Sequence, residues 1–172
     1  MFRLARVILM CFVATICSGC CAGIRGDAET MSPTAEEFIR RLNAQDEFEW
    51  YLVGFVGKVP NRWLFVCGFI QDSQASQVIV QHWRHLRPVA KLYAVSALQR
   101  IDPQQAAVYW SELFTIRKRI RYIHCDIIEQ DSVSAVAREL YKDWTQPERK
   151  AALELISKDH PELKPLFGDN PR

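Results

Sequence analysis

The sequence lacks the short motifs by which the commonest enzyme classes are recognised. Downstream of Gly19 it contains no glycine-rich phosphate loop, no GxSxG, no HExxH and no CxxC pair. Each of these motifs places a nucleophile, a metal ligand or a phosphate-binding backbone at a fixed spacing, so their absence excludes the enzymes that depend on them. The sequence therefore predicts neither a cofactor nor a metal site, and it favours a non-enzymatic protein.

The chain also lacks an excess of charge of either sign. It carries 22 Lys and Arg against 20 Asp and Glu, and loss of Arg3 and Arg6 with an N-terminal signal leaves 20 against 20. Proteins that bind nucleic acid or anionic surfaces through their overall charge have a clear basic excess. No nucleic-acid partner is therefore expected.

Long apolar runs are scarce, and the run at the N-terminus is too short to cross a membrane. Residues 7–17 form an almost wholly apolar stretch that follows two arginines. A membrane-spanning helix needs roughly 17 to 25 such residues, whereas a basic start followed by a shorter apolar run is typical of a signal peptide. The sequence predicts a signal peptide over residues 1–19.

Two small residues, Ser18 and Gly19, stand directly before Cys20, and this stretch resembles the lipobox of bacterial lipoproteins. It departs from that pattern at Cys17, where leucine is usual. The resemblance implies a diacylglyceryl group on Cys20, whose palmitate-like chains would each contribute about 0.8 kcal/mol per buried methylene to membrane binding. Cys21 follows instead of Asp, which favours the periplasmic face of the outer membrane. A secreted protein without lipid and an uncleaved membrane anchor are the alternatives.

Beyond the signal and the anchor, the remaining cysteines are Cys21, Cys67 and Cys125. In an oxidising periplasm Cys67 and Cys125 could form a disulfide, but the sequence cannot place their Cα atoms within bridging distance. Two buried thiols are the alternative, because reduced cysteine is among the most buried residue types.

One folded domain is predicted over residues 33–160, between a polar tether over 20–32 and an irregular, proline-containing tail over 161–172. Start signals around Pro33 predict a helix over roughly 34–45. The next two segments, 47–57 and 61–71, are too apolar for surface helices and are expected to form the buried centre of the domain.

Three aspartates recur at spacings of 30 and 29 residues, and each precedes an apolar pattern of helical period. Asp72, Asp102 and Asp131 are followed by Ser or Pro, which suits an N-cap and a first helical turn. Stacked helical hairpins produce fixed periods of this length. The sequence therefore predicts a mainly α-helical domain.

The segment 85–110, HLRPVAKLYAVSALQRIDPQQAAVYW, resembles a HEAT-type helical hairpin, with a proline near its start and an Asp at the turn. The wider stretch from Val53 to Trp144 resembles uncharacterised bacterial envelope lipoproteins that carry a short repeat of this kind. The resemblance implies HEAT-like stacked hairpins. It brings no catalytic motif with it, so no active-site residue is carried over.

One segment departs from the helical period. Residues 115–130 alternate between basic and β-branched or aromatic side chains, which predicts one or two short strands or an extended loop. The basic row within this segment is Arg117, Lys118, Arg119 and Arg121. Such a row could grip carboxylates of a partner or of peptidoglycan, or lipid phosphates, or it could keep a strand edge from pairing. It is the first candidate for a partner surface.

Two histidine-containing segments are candidate chemical sites. His82 and His85 share a helical face, but no nearby residue completes a metal-ligand pattern, so packing or solvated histidines are favoured. His124, Cys125 and Asp126 include the residue types of a thiol hydrolase, yet neighbours on a strand point to opposite faces. Cys125 is therefore expected to face the core, and a catalytic role would need a distant histidine.

The leading hypothesis is a membrane-tethered, non-enzymatic module that binds an unknown envelope protein, with Cys20 as its anchor and the basic row as its contact surface. A thiol- or metal-dependent hydrolase that uses Cys125 with a distant histidine is one alternative. An envelope immunity or inhibitor protein is another.

Overall fold

A computed structural model of the protein describes residues 35–53 and 57–168, and in this part of the chain helices predominate over one small sheet. The predicted signal peptide, Cys20 and the tether lie outside the described residues. The helices are α1 (Ala35–Asn43), α2 (Asn61–Phe69), α3 (Ala75–His82), α4 (Pro88–Ile101), α5 (Pro103–Leu113), α6 (Val133–Thr145), α7 (Pro147–Asp159) and α8 (Lys164–Phe167). Two short 3-10 turns, Trp83–His85 and Pro161–Leu163, precede α4 and α8. The strands are β1 (Glu47–Val53), β2 (Arg119–Cys125) and β3 (Ile127–Ser132). The mainly α prediction is confirmed at this level.

The three strands form one sheet in the order β1-β2-β3. β1 runs parallel to β2, with Glu47 opposite Arg121, and β2 and β3 form an antiparallel hairpin in which His124 is opposite Ile127. The prediction of one or two short strands within residues 115–130 is therefore confirmed. β2 is the central strand of the sheet: it pairs with β3 from Arg119 to His124 and with β1 from Arg121 onward.

Strand β1 corrects the prediction that residues 47–57 form a buried helix. Its described part is extended, and the pairing with β2 is irregular between Glu49 and Val53. As a result Phe48 and Tyr51, three residues apart, are both buried, at 0% and 2% exposure. Side chains three apart lie on one face of a helix, whereas a regular strand buries every second residue. The strand irregularity thus imitates a helical spacing in the sequence.

The core centres on Trp63 of α2, which is fully buried. Its ring centroid lies 4.6 Å from that of Tyr51 and 4.9 Å from that of Tyr93 on α4, and its Nε1 donates a hydrogen bond of 2.8 Å to the carbonyl of Glu49. The hydroxyl of Tyr93 in turn accepts a hydrogen bond of 2.8 Å from the backbone N–H of Glu49. Trp63 and Tyr93 therefore fix β1 against α2 and α4 by both packing and hydrogen bonds.

The recurring aspartates take three different roles at helix starts. Asp102 caps α5, where its side chain accepts a hydrogen bond of 3.1 Å from the N–H of Gln105. Asp72 accepts one from Gln74 just before α3. At α6 the cap is Ser132, next to Asp131. The predicted cap is confirmed at Asp102, whereas α3 has Gln74 at its N-cap, two residues after Asp72, and α6 has Ser132, one residue after Asp131.

A buried carboxylate ties the sheet to α6 and α7. Asp143 is only 7% exposed, and its two oxygens accept hydrogen bonds from Trp50 Nε1 at 3.3 Å and from Arg149 Nη1 at 3.0 Å. Burial raises the pKa of Asp143 to about 6, although the positive charge of Arg149 acts in the opposite direction. The carboxylate therefore joins β1, α6 and α7 at a cost in desolvation.

The prediction of an irregular tail over residues 161–172 is wrong for residues 161–168. This part of the chain forms a 3-10 turn and α8, and it buries Leu163, Leu166 and Phe167. Arg100 of α4 fixes it by donating a hydrogen bond of 3.0 Å to the carbonyl of Pro165. Pro161 begins the 3-10 turn and Pro165 is the second residue of α8, so both prolines lie where the helical conformation starts and do not break it. Among the helices of the described residues, none combines the length and the apolar character that a membrane crossing requires.

Candidate functional site

The basic row borders an open groove of about 420 Å³, which we call the basic groove. Three parts of the chain meet around it: the loop between α1 and β1, the start of α4, and the β2–β3 hairpin. The residues that line it are Gln45, Asp46, Arg87, Pro88, Val89, Lys118, Arg119, Ile120, Arg121 and Gln130. Four of them are cationic and one is a carboxylate.

Strand alternation positions the two arginines of β2. Arg119 and Arg121 are two residues apart and lie on the exposed face of the sheet, while Ile120 between them is 6% exposed and points to the helices. Arg121 Nη1 lies 2.8 Å from Glu47 Oε1, its register partner on β1. Arg119 Nη2 donates a hydrogen bond of 3.1 Å to the carbonyl of Gln130 on β3. The sheet thus holds both guanidinium groups at one side of the groove.

Arg87 reaches the groove from the start of α4. It precedes Pro88, which keeps its backbone extended and starts the helix at the next residue. Asn43, at the end of α1, clamps this corner: its Oδ1 accepts a hydrogen bond of 2.8 Å from the N–H of Arg87, and its Nδ2 donates one of 3.1 Å to the carbonyl of His85. The guanidinium of Arg87 lies 3.3 Å from Asp46 Oδ1.

Only part of the predicted basic row lines the groove. Lys118, Arg119 and Arg121 line it, whereas Arg117 is exposed beside them, before β2 begins. Within the described residues, Arg117, Lys118 and Arg119 have no carboxylate at ion-pair distance. None of these three charges is therefore neutralised by an ion pair within the described part of the chain.

Sequence reasoning missed Arg87 and Asp46, which lie far from the row in the chain. The sequence predicted the start of a helical hairpin near Pro88. It therefore indicated that Arg87 lies at the N-terminus of a helix. No sequence signal places that helix start next to β2, because the contact depends on how α1, α4 and the sheet pack together.

Neither His82 nor His85 belongs to the lining of the basic groove. His82 ends α3 and is half-buried, and His85 is exposed in the following 3-10 turn. In the part of the chain that the structure describes, no group of three or more His, Cys, Asp or Glu side chains is arranged to hold a metal ion. Nδ1 of His160, at the end of α7, lies 3.5 Å from a carboxylate oxygen of Glu162.

The expectation that Cys125 faces the core is wrong. Cys125 is exposed and begins the two-residue loop of the β2–β3 hairpin, where its φ is 56°. A positive φ at this position is typical of tight hairpin loops and usually requires glycine. The side chain therefore leaves the strand for solvent at the tip of the hairpin, while His124 beside it is half-buried and its ring centroid lies 5.4 Å from that of Trp50. Burial lowers the pKa of His124.

Cys67 and Cys125 do not form a disulfide in this structure. Cys67 lies in α2 and is 4% exposed. Burial raises the pKa of its thiol to about 12, so it remains protonated at neutral pH. The alternative of two buried thiols is therefore confirmed for Cys67 and wrong for Cys125.

Comparisons of the chain with models of protein families, with curated proteins and with solved structures find no match. The candidate site therefore depends on the geometry and the charge of the basic groove.

Proposed function

We propose that the protein is a lipid-anchored, non-enzymatic interaction module of the bacterial envelope, and that the basic groove is its contact surface for another envelope protein. The observation that carries this proposal is the convergence of Arg87 with Lys118, Arg119 and Arg121 on one groove. Arg87 directly precedes α4, whereas the other three residues lie at the start of β2, about 30 residues later in the chain. Guanidinium groups bind carboxylates through paired hydrogen bonds, so such a cluster suits an acidic partner.

The simplest structural explanation of the basic row does not fit its place in the sheet. Charged residues protect exposed sheet edges from pairing with other chains. At Arg121, however, β2 is paired with β1 on one side and with β3 on the other. Protection of an edge therefore accounts neither for Arg121 nor for the arrival of Arg87 from α4. This supports a binding role for the groove.

The proposal includes a HEAT-like arrangement and an outer-membrane anchor at Cys20. Two pairs of consecutive helices that pack against each other, α4 with α5 joined at Asp102 and α6 with α7 joined at Gln146, support the first part. The signal-like N-terminus with Cys20 supports the second. The mechanism is occupancy and positioning: the anchor restricts the domain to the membrane surface, and the groove selects the partner.

Reversing the charge of the row tests the contact surface. In the variant Arg117→Glu, Arg119→Glu, Arg121→Glu, we expect crosslinked partners in intact envelopes to fall roughly tenfold or more, because three exposed ion pairs worth up to about 1 kcal/mol each become repulsions. The measurement is affinity capture after crosslinking, quantified by mass spectrometry.

The matched control reverses three exposed lysines outside the groove, Lys58, Lys158 and Lys164. It changes the net charge equally and should retain the partners. Capture that is the same in the groove variant and in the wild type would show that the contact surface lies elsewhere.

Replacing the proposed lipid-bearing residue tests the anchor. Cys20→Ser should abolish labelling by radioactive palmitate and leave the protein unprocessed or released into the soluble fraction, because serine carries no thiol for the diacylglyceryl group. Cys21→Ser is the matched control and should keep the label. Undiminished labelling of Cys20→Ser would contradict the lipoprotein proposal.

A further inference from the structure

Two consecutive acidic residues of the chain itself lie against the basic groove. Asp46 Oδ1 is 3.3 Å from Arg87 Nη1, and Glu47 Oε1 is 2.8 Å from Arg121 Nη1. The groove arginines thus already bind carboxylates, presented by a short acidic stretch of backbone. Asp46 and Glu47 show the ligand chemistry that this groove accepts.

The two carboxylates are held with unequal firmness. Glu47 belongs to β1, lies opposite Arg121 in the parallel register, and its side chain is 30% exposed. Asp46 lies in the loop before β1, and its side chain is 87% exposed while that of Arg87 is 61% exposed. An exposed ion pair of this kind contributes little stability, so an incoming group can replace Asp46 at small cost.

We propose that the partner contacts the groove through an acidic segment, and that Asp46 is an internal competitor which this segment displaces from Arg87. The inference rests on the proposed function of the groove and adds the chemistry of the partner and a built-in competition. Once Asp46 is displaced, Arg87, Lys118 and Arg119 all face the incoming segment with no carboxylate of the lining to neutralise them.

The shape of the groove favours a peptide segment with several carboxylates. Its cations are spread over the start of α4 and the start of β2, and the groove between them measures about 420 Å³. Successive residues of an extended segment are at most about 3.6 Å apart along the chain, so neighbouring acidic side chains can reach cations on different elements. The neighbouring residues Asp46 and Glu47 already show such contacts: Asp46 pairs with Arg87 at the start of α4, and Glu47 pairs with Arg121 on β2.

The test measures binding of a fluorescein-labelled hexapeptide of alternating Asp and Glu to the full-length protein in neutral detergent, by fluorescence anisotropy at low ionic strength. Asp46→Asn should tighten binding about two- to fivefold, because one weak exposed ion pair no longer competes for Arg87. Arg119→Glu should weaken binding roughly tenfold, and added salt should weaken it in the wild type. Asp46 and Arg119 are exposed, so circular dichroism should show both variants folded.

The matched control is Asp159→Asn, an exposed carboxylate at the end of α7 that makes the same change in net charge outside the groove. It should bind the peptide as the wild type does. Equal tightening in Asp46→Asn and Asp159→Asn would reveal a general charge effect and overturn the competition.

The remaining outcomes separate this inference from the proposed function. If Arg119→Glu weakens peptide binding but Asp46→Asn leaves Kd unchanged, the groove is the binding surface, and the proposal that Asp46 competes for Arg87 is wrong. If Arg119→Glu binds the peptide as well as the wild type, the groove itself is the wrong surface. If the chain with Cys20→Ser binds phosphatidylglycerol vesicles in a manner that depends on Arg119 and does not bind the peptide, the ligand is a lipid phosphate and the acidic segment is refuted.

Discussion

Replacing Trp63 with alanine should lower the free energy of unfolding by about 3 to 5 kcal/mol, the range found for large aromatic side chains removed from cores. The side chain is fully buried between Tyr51 and Tyr93, and its Nε1 satisfies the carbonyl of Glu49. Domains of this size have a total stability of only about 5 to 15 kcal/mol. The variant should therefore be marginally folded, as measured by urea denaturation followed by far-UV circular dichroism.

Two further variants make this result specific to the aromatic cluster. Trp63→Phe keeps an aromatic ring but removes the hydrogen bond to Glu49, so its effect should be smaller than that of alanine. Val108→Ala removes an apolar side chain that is 63% exposed on α5 and should change stability by no more than about 0.5 kcal/mol. A loss below about 1 kcal/mol for Trp63→Ala would mean that β1 is held by other contacts.

Replacing Asp143 with asparagine should remove a large pH dependence of stability. Folding raises the pKa of Asp143 from 3.8 to about 6 by burial. Between these values the folded state binds more protons than the unfolded state, so stability decreases as pH rises through this window. The shift corresponds to about 3 kcal/mol that is present at lower pH and lost by pH 7.

The measurement is the free energy of unfolding from urea titrations across the range from below pH 4 to pH 7. The difference between wild type and Asp143→Asn should change by about 3 kcal/mol over this range, in the direction that favours the wild type at low pH. Asp159→Asn removes an exposed carboxyl from α7, and its free energy of unfolding should depend on pH in the same way as that of the wild type. Parallel curves for Asp143→Asn would show that folding does not shift the pKa of Asp143.

Local signals in the sequence predicted most of the helical framework. Start signals gave a helix over 34–45 where the structure has α1, and the cap at Asp102 is where α5 begins. The alternation over 115–130 predicted the strands that became β2 and β3. These signals consist of residues that are close together in the chain, so they can be detected from a single sequence without knowledge of the tertiary packing.

The errors arose where the decisive contact is distant in the chain. Residues 47–53 are apolar enough for a buried helix, and only pairing with β2 makes them a strand, since a short apolar run does not by its period distinguish the two. Cys125 lies at a hairpin tip without the Asn-Gly or Asp-Gly that usually marks one. For the site, the arginines of β2 could be found from their alternation, whereas Arg87 joins them only through the packing of α4.

The parallel pairing of β1 with β2 has a consequence for how the protein is made. Parallel strands cannot be joined by a tight turn, and here the connection from β1 to β2 includes α2, α3, α4 and α5. Contacts between such distant segments form late in folding, because the intervening chain must first be ordered. A chain emerging during synthesis therefore has Asp46 and Arg87 well before Arg119 arrives. The basic groove is complete only when the last third of the polypeptide has closed the sheet.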